Sequence, residues 1–89
     1  MKEFKFIIKD KNGLHARPAG ALCAKAKTFN SKIDVKCDGK EADAKRLLSL
    51  MSLGAVSGKE LEFYISGDDE NEAYSALLEL CEQKLGDGE

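Results

Sequence analysis

Hydrophobic residues in this chain switch between two spacings, and the order of the switches restricts the fold more than any single motif does. Phe4, Phe6 and Ile8 alternate with Lys5 and Lys9, the period of a strand with one buried face. Asn12-Gly13 follows with turn chemistry. From Ala16 to about Lys27 the spacing lengthens, and Ala19, Leu22, Cys23 and Ala26 fall at i, i+3, i+4 and i+7, a helical stripe. Ile33, Val35 and Cys37 alternate again, Asp38-Gly39 supplies a tight hairpin turn, and Lys40 to Asp43 form the return strand. Leu47, Leu48, Leu50, Met51 and Leu53 make a short apolar helix that Gly54 stops. Leu61, Phe63 and Ile65 mark a last strand. Ala73, Ala76, Leu77 and Leu80 give a third helical stripe, and Asp69 with Glu72 at its start has the spacing of an acidic capping box. Gly86 and Gly88 read as a frayed tail.

The predicted order is therefore βαββαβα. Each strand has one apolar and one polar face, and each helix has one apolar stripe. The simplest way to bury them lays three helices over one face of a four-stranded antiparallel sheet. The expected fold class is α+β, an open-faced β-sandwich. A chain of 89 residues supplies one hydrophobic core, so residues 1–89 are read as a single domain.

Composition narrows the partners. Fourteen Lys and Arg face sixteen Asp and Glu, a net charge of -2, without the concentrated positive charge of a nucleic-acid binder. A small RNA-binding α+β domain would also display aromatics on its sheet, and Tyr64 is the only outward aromatic expected on a strand. Cys23, Cys37 and Cys81 form no CxxC pair, fall on or beside apolar faces, and are read as small core hydrophobes. With His15 as the single histidine, no metal site is expected, and no cofactor. The sequence shows no N-terminal apolar leader and no run long enough to span a bilayer, so a cytoplasmic location without membrane insertion is expected.

Chemistry concentrates in residues 12–20, Asn12-Gly13-Leu14-His15-Ala16-Arg17-Pro18-Ala19-Gly20. His15 falls where a strand-to-helix loop becomes a helix, beside backbone N–H groups that lack intrahelical partners. Those groups and the helix dipole make an anion site, Pro18 suits the first turn, and Arg17 adds a planar guanidinium fork. Positive surroundings also favour the neutral, nucleophilic form of an imidazole. Local pattern alone leaves two readings open: an anion-handling histidine, or a solvated histidine that merely starts a helix.

The run Gly13-Leu14-His15-Ala16-Arg17-Pro18-Ala19 resembles the active-site motif of the histidine-containing phosphocarrier (HPr) family of the bacterial phosphoenolpyruvate-dependent sugar phosphotransferase system. Gly39-Lys40, Met51-Ser52-Leu53-Gly54 and Ser66-Gly67-Asp68-Asp69-Glu70-Asn71-Glu72-Ala73 resemble the same family in order and spacing, so the likeness covers nearly the whole chain. The resemblance implies the same open-faced sandwich. It implies transient phosphorylation of His15 on Nδ1, assisted by Arg17, with the phosphate held at Ala16, Arg17 and Pro18. Enzyme I would be the donor and enzyme IIA domains the acceptors, and a shuttle of this kind is expected to be a monomer. The chain would be a carrier that turns over no substrate alone.

The family also implies that the short helix lies beside the histidine and meets partners, which points to Lys45, Arg46, Leu47, Leu48 and Met51; Gly20, on the first helix, is read as a place for a partner to approach closely. Leu50 and Leu53 are then core, and Lys45 and Arg46 would bring positive charge close to His15. Many Gram-positive members carry a regulatory serine, the target of an ATP-dependent kinase, at the position that reads Arg46 here. Arg46 has no hydroxyl, so that kinase is not an expected partner. Ser49, one turn on, is read as an exposed helix serine. Two other readings accompany the sugar-transport carrier: a paralogue in a regulatory phosphotransfer chain, and a non-catalytic HPr-like binding module. The presence of both His15 and Arg17 speaks against the second.

Overall fold

In the computed structural model, which describes residues 1–86, the seven expected elements form in the expected order. They are β1 (Lys2–Ile7), α1 (Ala16–Ala26), β2 (Lys32–Cys37), β3 (Lys40–Asp43), α2 (Leu47–Met51), β4 (Glu60–Ser66) and α3 (Glu70–Lys84). The strands pair antiparallel in the order β1-β4-β2-β3. Gly88 of the expected tail lies outside the described residues.

Period-2 alternation explains why the sheet has two unlike faces. One row runs Phe4, Phe63, Val35, Ala42 across all four strands, and every member is buried under the helices. The adjacent row, on the other face, runs Lys5, Glu62, Lys36, Glu41, so each cross-strand neighbour has the opposite charge. Phe4 stacks on Phe63 with ring centroids 4.5 Å apart, and Tyr74 of α3 meets Phe4 edge-on at 5.4 Å. Leu22 and Ala26 of α1, Leu50 of α2, and Leu77 and Cys81 of α3 close the core from above. All three cysteines are buried and unpaired, and burial pushes the Cys81 thiol up to about 12. Between β2 and β3, Asp38 and Gly39 both take positive φ (51° and 82°), the geometry of a two-residue turn that matches strand twist.

The start of α3 departs from the sequence reading. Asp69 occupies the N-cap position, yet its carboxylate makes no capping bond and Glu72 is exposed. The carboxylate instead accepts from Asn30 N–H at 2.8 Å, Ser31 N–H at 2.9 Å and Ser31 Oγ–H at 2.5 Å, in the turn between α1 and β2. Glu70 takes the reaching-back role, accepting from Gly67 N–H at 3.2 Å. A carboxylate at this point has two sets of orphan donors within reach, and the long-range set offers three. Ser49 also differs from its reading: it is half-buried, and its Oγ accepts from Asp43 N–H at 3.1 Å, tying α2 back to β3.

The Ser31 hydroxyl, followed by Asn30 N–H, holds the Asp69 carboxyl below the ordinary aspartate range. A lowered folded value contributes stability that is present above the ordinary range and lost as pH falls through the lowered value. Asp69→Ala should therefore lower the urea midpoint at pH 7 with an unchanged slope. Its deficit against the parent chain should shrink as unfolding is repeated at progressively lower pH.

Candidate functional site

The chain leaves β1 under close control. Ile8 is buried, and the N–H groups of Lys9 and Asp10 both donate to the carbonyl of Leu85 at the end of α3, at 2.7 and 3.1 Å. Asp10 Oδ1 then accepts from Asn12 N–H at 2.8 Å, and its backbone carbonyl accepts from Gly13 N–H at 2.9 Å, a side-chain-braced turn. Gly13 has φ 67°, and a Cβ built there would lie 2.5 Å from the carbonyl oxygen of Ala55 and 2.8 Å from Cα of Val56. Glycine is required twice over, by conformation and by contact. Leu14, buried, donates its N–H to the same Ala55 carbonyl at 2.8 Å. Two loops from distant parts of the sequence are thus locked together one residue before His15.

His15 is the N-cap of α1, in extended conformation (φ -88°, ψ -175°). Its carbonyl accepts the first helical bond from Ala19 N–H at 3.0 Å, and its ring makes no capping bond. The N–H groups of Ala16 and Arg17 have no hydrogen-bond partner among the described residues, and both residues are exposed. Pro18 is buried and has no N–H, so the open end of α1 presents two donors. Pro18 shapes the turn without bonding an anion.

The His15 side chain is 38% exposed. Its Nε2 lies 3.9 Å from Asp10 Oδ2, longer than a hydrogen bond. Arg17 is exposed and in no ion pair among the described residues, so its guanidinium is available to an incoming anion. The two residues that follow His15 thus carry two open backbone donors at the positive end of an eleven-residue helix, and one of them carries an exposed guanidinium. No group of three or more metal-ligating side chains occurs among the described residues. No described helix is long and apolar enough to cross a membrane.

Around this centre the other candidate residues divide. On α2, Leu50 is buried, as is Leu53 just after it, while Leu47, Met51 and above all Leu48, 81% exposed, face outward. Arg46 is the exposed N-cap of α2. Gly20 is half-buried on α1, and a Cβ there would meet nothing within 4 Å, so nothing inside the chain demands glycine. Lys45 corrects its reading. Its ammonium donates to the carbonyl of Phe29 at 2.8 Å, past the C-terminal end of α1, where bare carbonyls attract a cation. That places its charge at the far end of a helix about 15 Å long from His15. Sequence reasoning missed two neighbours. Val56, exposed, sits in a loop with no periodicity to reveal it; Asp10 had only its turn-forming Asp-Lys-Asn-Gly context as a signal.

Comparison with known proteins is consistent with this geometry. Residues 2–83 match the family PTS-HPr, described as the PTS HPr component phosphorylation site. The phosphocarrier protein HPr of Lysinibacillus sphaericus is 41% identical over 80 residues, covering 90% of this chain and 91% of that protein. The HPr-like protein Crh of Halalkalibacterium halodurans is 39% identical over 84 residues, 94% of this chain and all of that one. Among solved structures, that of HPr-C-His from Thermoanaerobacter tengcongensis superposes with a TM-score of 0.91 at 44% identity, covering both chains completely.

Gly13 tests the frame that presents His15. Gly13→Ala should destabilise the fold by more than about 1 kcal/mol, the cost of a left-handed alanine before any clash with Ala55 is added. Urea unfolding of parent and variant measures it.

Proposed function

The chain belongs to the HPr family of phosphotransferase-system phosphocarriers, and on that premise we propose that His15 takes a phosphoryl group from enzyme I and delivers it to enzyme IIA domains. The observation that supports this most directly is the pair of unpartnered N–H groups, on Ala16 and Arg17, at the helix end where the ring stands.

The chemistry follows from the surroundings. The lone pair of Nδ1 attacks phosphorus while the bond to the donor breaks and its electron pair leaves with the donor. The phosphoryl oxygens accept from Ala16 N–H and Arg17 N–H, and the Arg17 guanidinium brackets two of them. These donors are in place before transfer and need no reorganisation. The same contacts hold the charge only at a surface, so the group stays open to a second nucleophile. Covalent catalysis here consists of dividing one transfer between two proteins into two easier steps.

Leu47, Leu48 and Met51 form the docking surface, with Gly20 permitting close approach on α1 and Arg46 supplying positive charge at its edge. Partner surfaces of acidic character suit that edge, and encounter slows as salt rises. The protein works as a monomer in the cytoplasm and uses no cofactor. The likeness to a protein named HPr-like, Crh, keeps the two other readings beside it, a paralogue in a regulatory phosphotransfer chain and a non-catalytic HPr-like binding module. Both His15 and Arg17 are present, with the helix end beside them unobstructed, and this favours the carrier.

Incubation with enzyme I, Mg²⁺ and labelled phosphoenolpyruvate should label the chain. The label should be acid-labile and base-stable, transferable to an enzyme IIA domain, and absent in His15→Ala. Arg17→Ala should slow transfer by roughly ten- to a hundredfold, the loss of one charge-assisted contact of about 1.5–3 kcal/mol, without lowering the unfolding midpoint. Unchanged transfer in Arg17→Ala would refute its role.

A further inference from the structure

We propose that Asp10 is a positioning residue that sets which nitrogen of the His15 ring carries the proton. The proposal rests on the carrier reading and adds to it a residue outside the Gly13–Ala19 motif.

A neutral imidazole has one N–H and one lone pair, and only the nitrogen with the lone pair can attack phosphorus. Asp10 is the one acidic residue with a carboxylate oxygen within 4.0 Å of a ring nitrogen among the described residues, and it approaches Nε2. Its carboxylate cannot wander. Oδ1 is engaged by Asn12 N–H, the backbone carbonyl by Gly13 N–H, and the backbone N–H by the carbonyl of Leu85. Oδ2 remains, and it is the oxygen that faces the ring. A carboxylate attracts an N–H and repels a lone pair, so the proton is biased to Nε2 and the lone pair to Nδ1. At 3.9 Å the effect is an electrostatic bias that tightens into a hydrogen bond in the working complex.

The arrangement serves both transfers. When Nδ1 forms its bond to phosphorus, the proton stays on Nε2 and the ring becomes cationic, facing Asp10. When the phosphoryl group moves on, the electron pair of the N–P bond returns to Nδ1 and the ring is neutral again. No proton has to be moved in either direction.

Substitution separates charge from scaffold. Asp10→Asn keeps an oxygen acceptor for Asn12 N–H but turns an NH₂ donor towards the ring. Asp10→Ala loses the brace and the charge together. Ring-nitrogen NMR of ¹⁵N-histidine-labelled protein, at a pH where the ring is neutral, reads the ratio of Nε2–H to Nδ1–H forms. The ratio should fall at least threefold in both variants, and further in Asp10→Asn than in Asp10→Ala. The amide spectrum of Asp10→Asn around residues 12–14 should stay close to that of the parent. Phosphorylation by enzyme I should slow at least threefold in Asp10→Asn. An unchanged ratio in both variants overturns the proposal. So does a larger change in Asp10→Ala, which would mean that Asp10 acts only through the turn, and so does a changed ratio with unchanged transfer. Failure of the carrier reading looks different: the parent protein itself takes no label, whatever its tautomer ratio.

Discussion

In α1 the proline in the third position has no N–H and the His15 N–H is taken by the Gly13 carbonyl, so the helix start leaves two backbone N–H groups without a partner, those of Ala16 and Arg17. The rest of the structure keeps that pair exposed and beside an imidazole. Had His15 capped its own helix through its ring, as Ser or Asp at that position would, the Arg17 donor would be consumed from within. Its extended backbone and outward ring leave both donors to an external anion. Placement of the ring thus depends on how the chain enters the helix.

That entry is determined by two remote segments. The end of α3 receives the Lys9 and Asp10 N–H groups through the Leu85 carbonyl, and the loop after α2 receives Leu14 through the Ala55 carbonyl. Gly13 alone allows the two loops to approach so closely. At the other end of α1, Asp69 and Lys45 tie down the turn at Phe29 to Ser31, so the helix is held at both ends by bonds to distant residues. Rigid support of this kind suits a site whose donors must be aligned before the reaction begins.

Much of this was legible in the amino-acid order, because burial of one face imposes a period that side chains display. The core rows through Phe4, Phe63 and Val35, the Asp38-Gly39 hairpin and the outward Leu47, Leu48 and Met51 follow from such local rules. His15 at the start of α1 did too. Long-range polar pairing was not legible. Asp69 has the spacing of a local cap and bonds a turn 38 residues away; Lys45 looks like a charge near the site and satisfies a carbonyl 16 residues away. Ser49, a half-buried tie to β3, was hidden among the leucines for the same reason. Polar side chains choose among several orphan groups, and only three-dimensional proximity decides. The approach of Asp10 to the ring is a local contact, hidden because its spacing reads only as a turn former.

The open donors of Ala16 and Arg17 can be observed directly. Amide NMR of the ¹⁵N-labelled chain before and after phosphorylation reports whether these two N–H groups take up the phosphoryl oxygens. Downfield movement of both amide protons, with through-bond coupling to phosphorus, is the predicted result. If the label forms on His15 while both amides stay where they were, the helix end does not hold the phosphate.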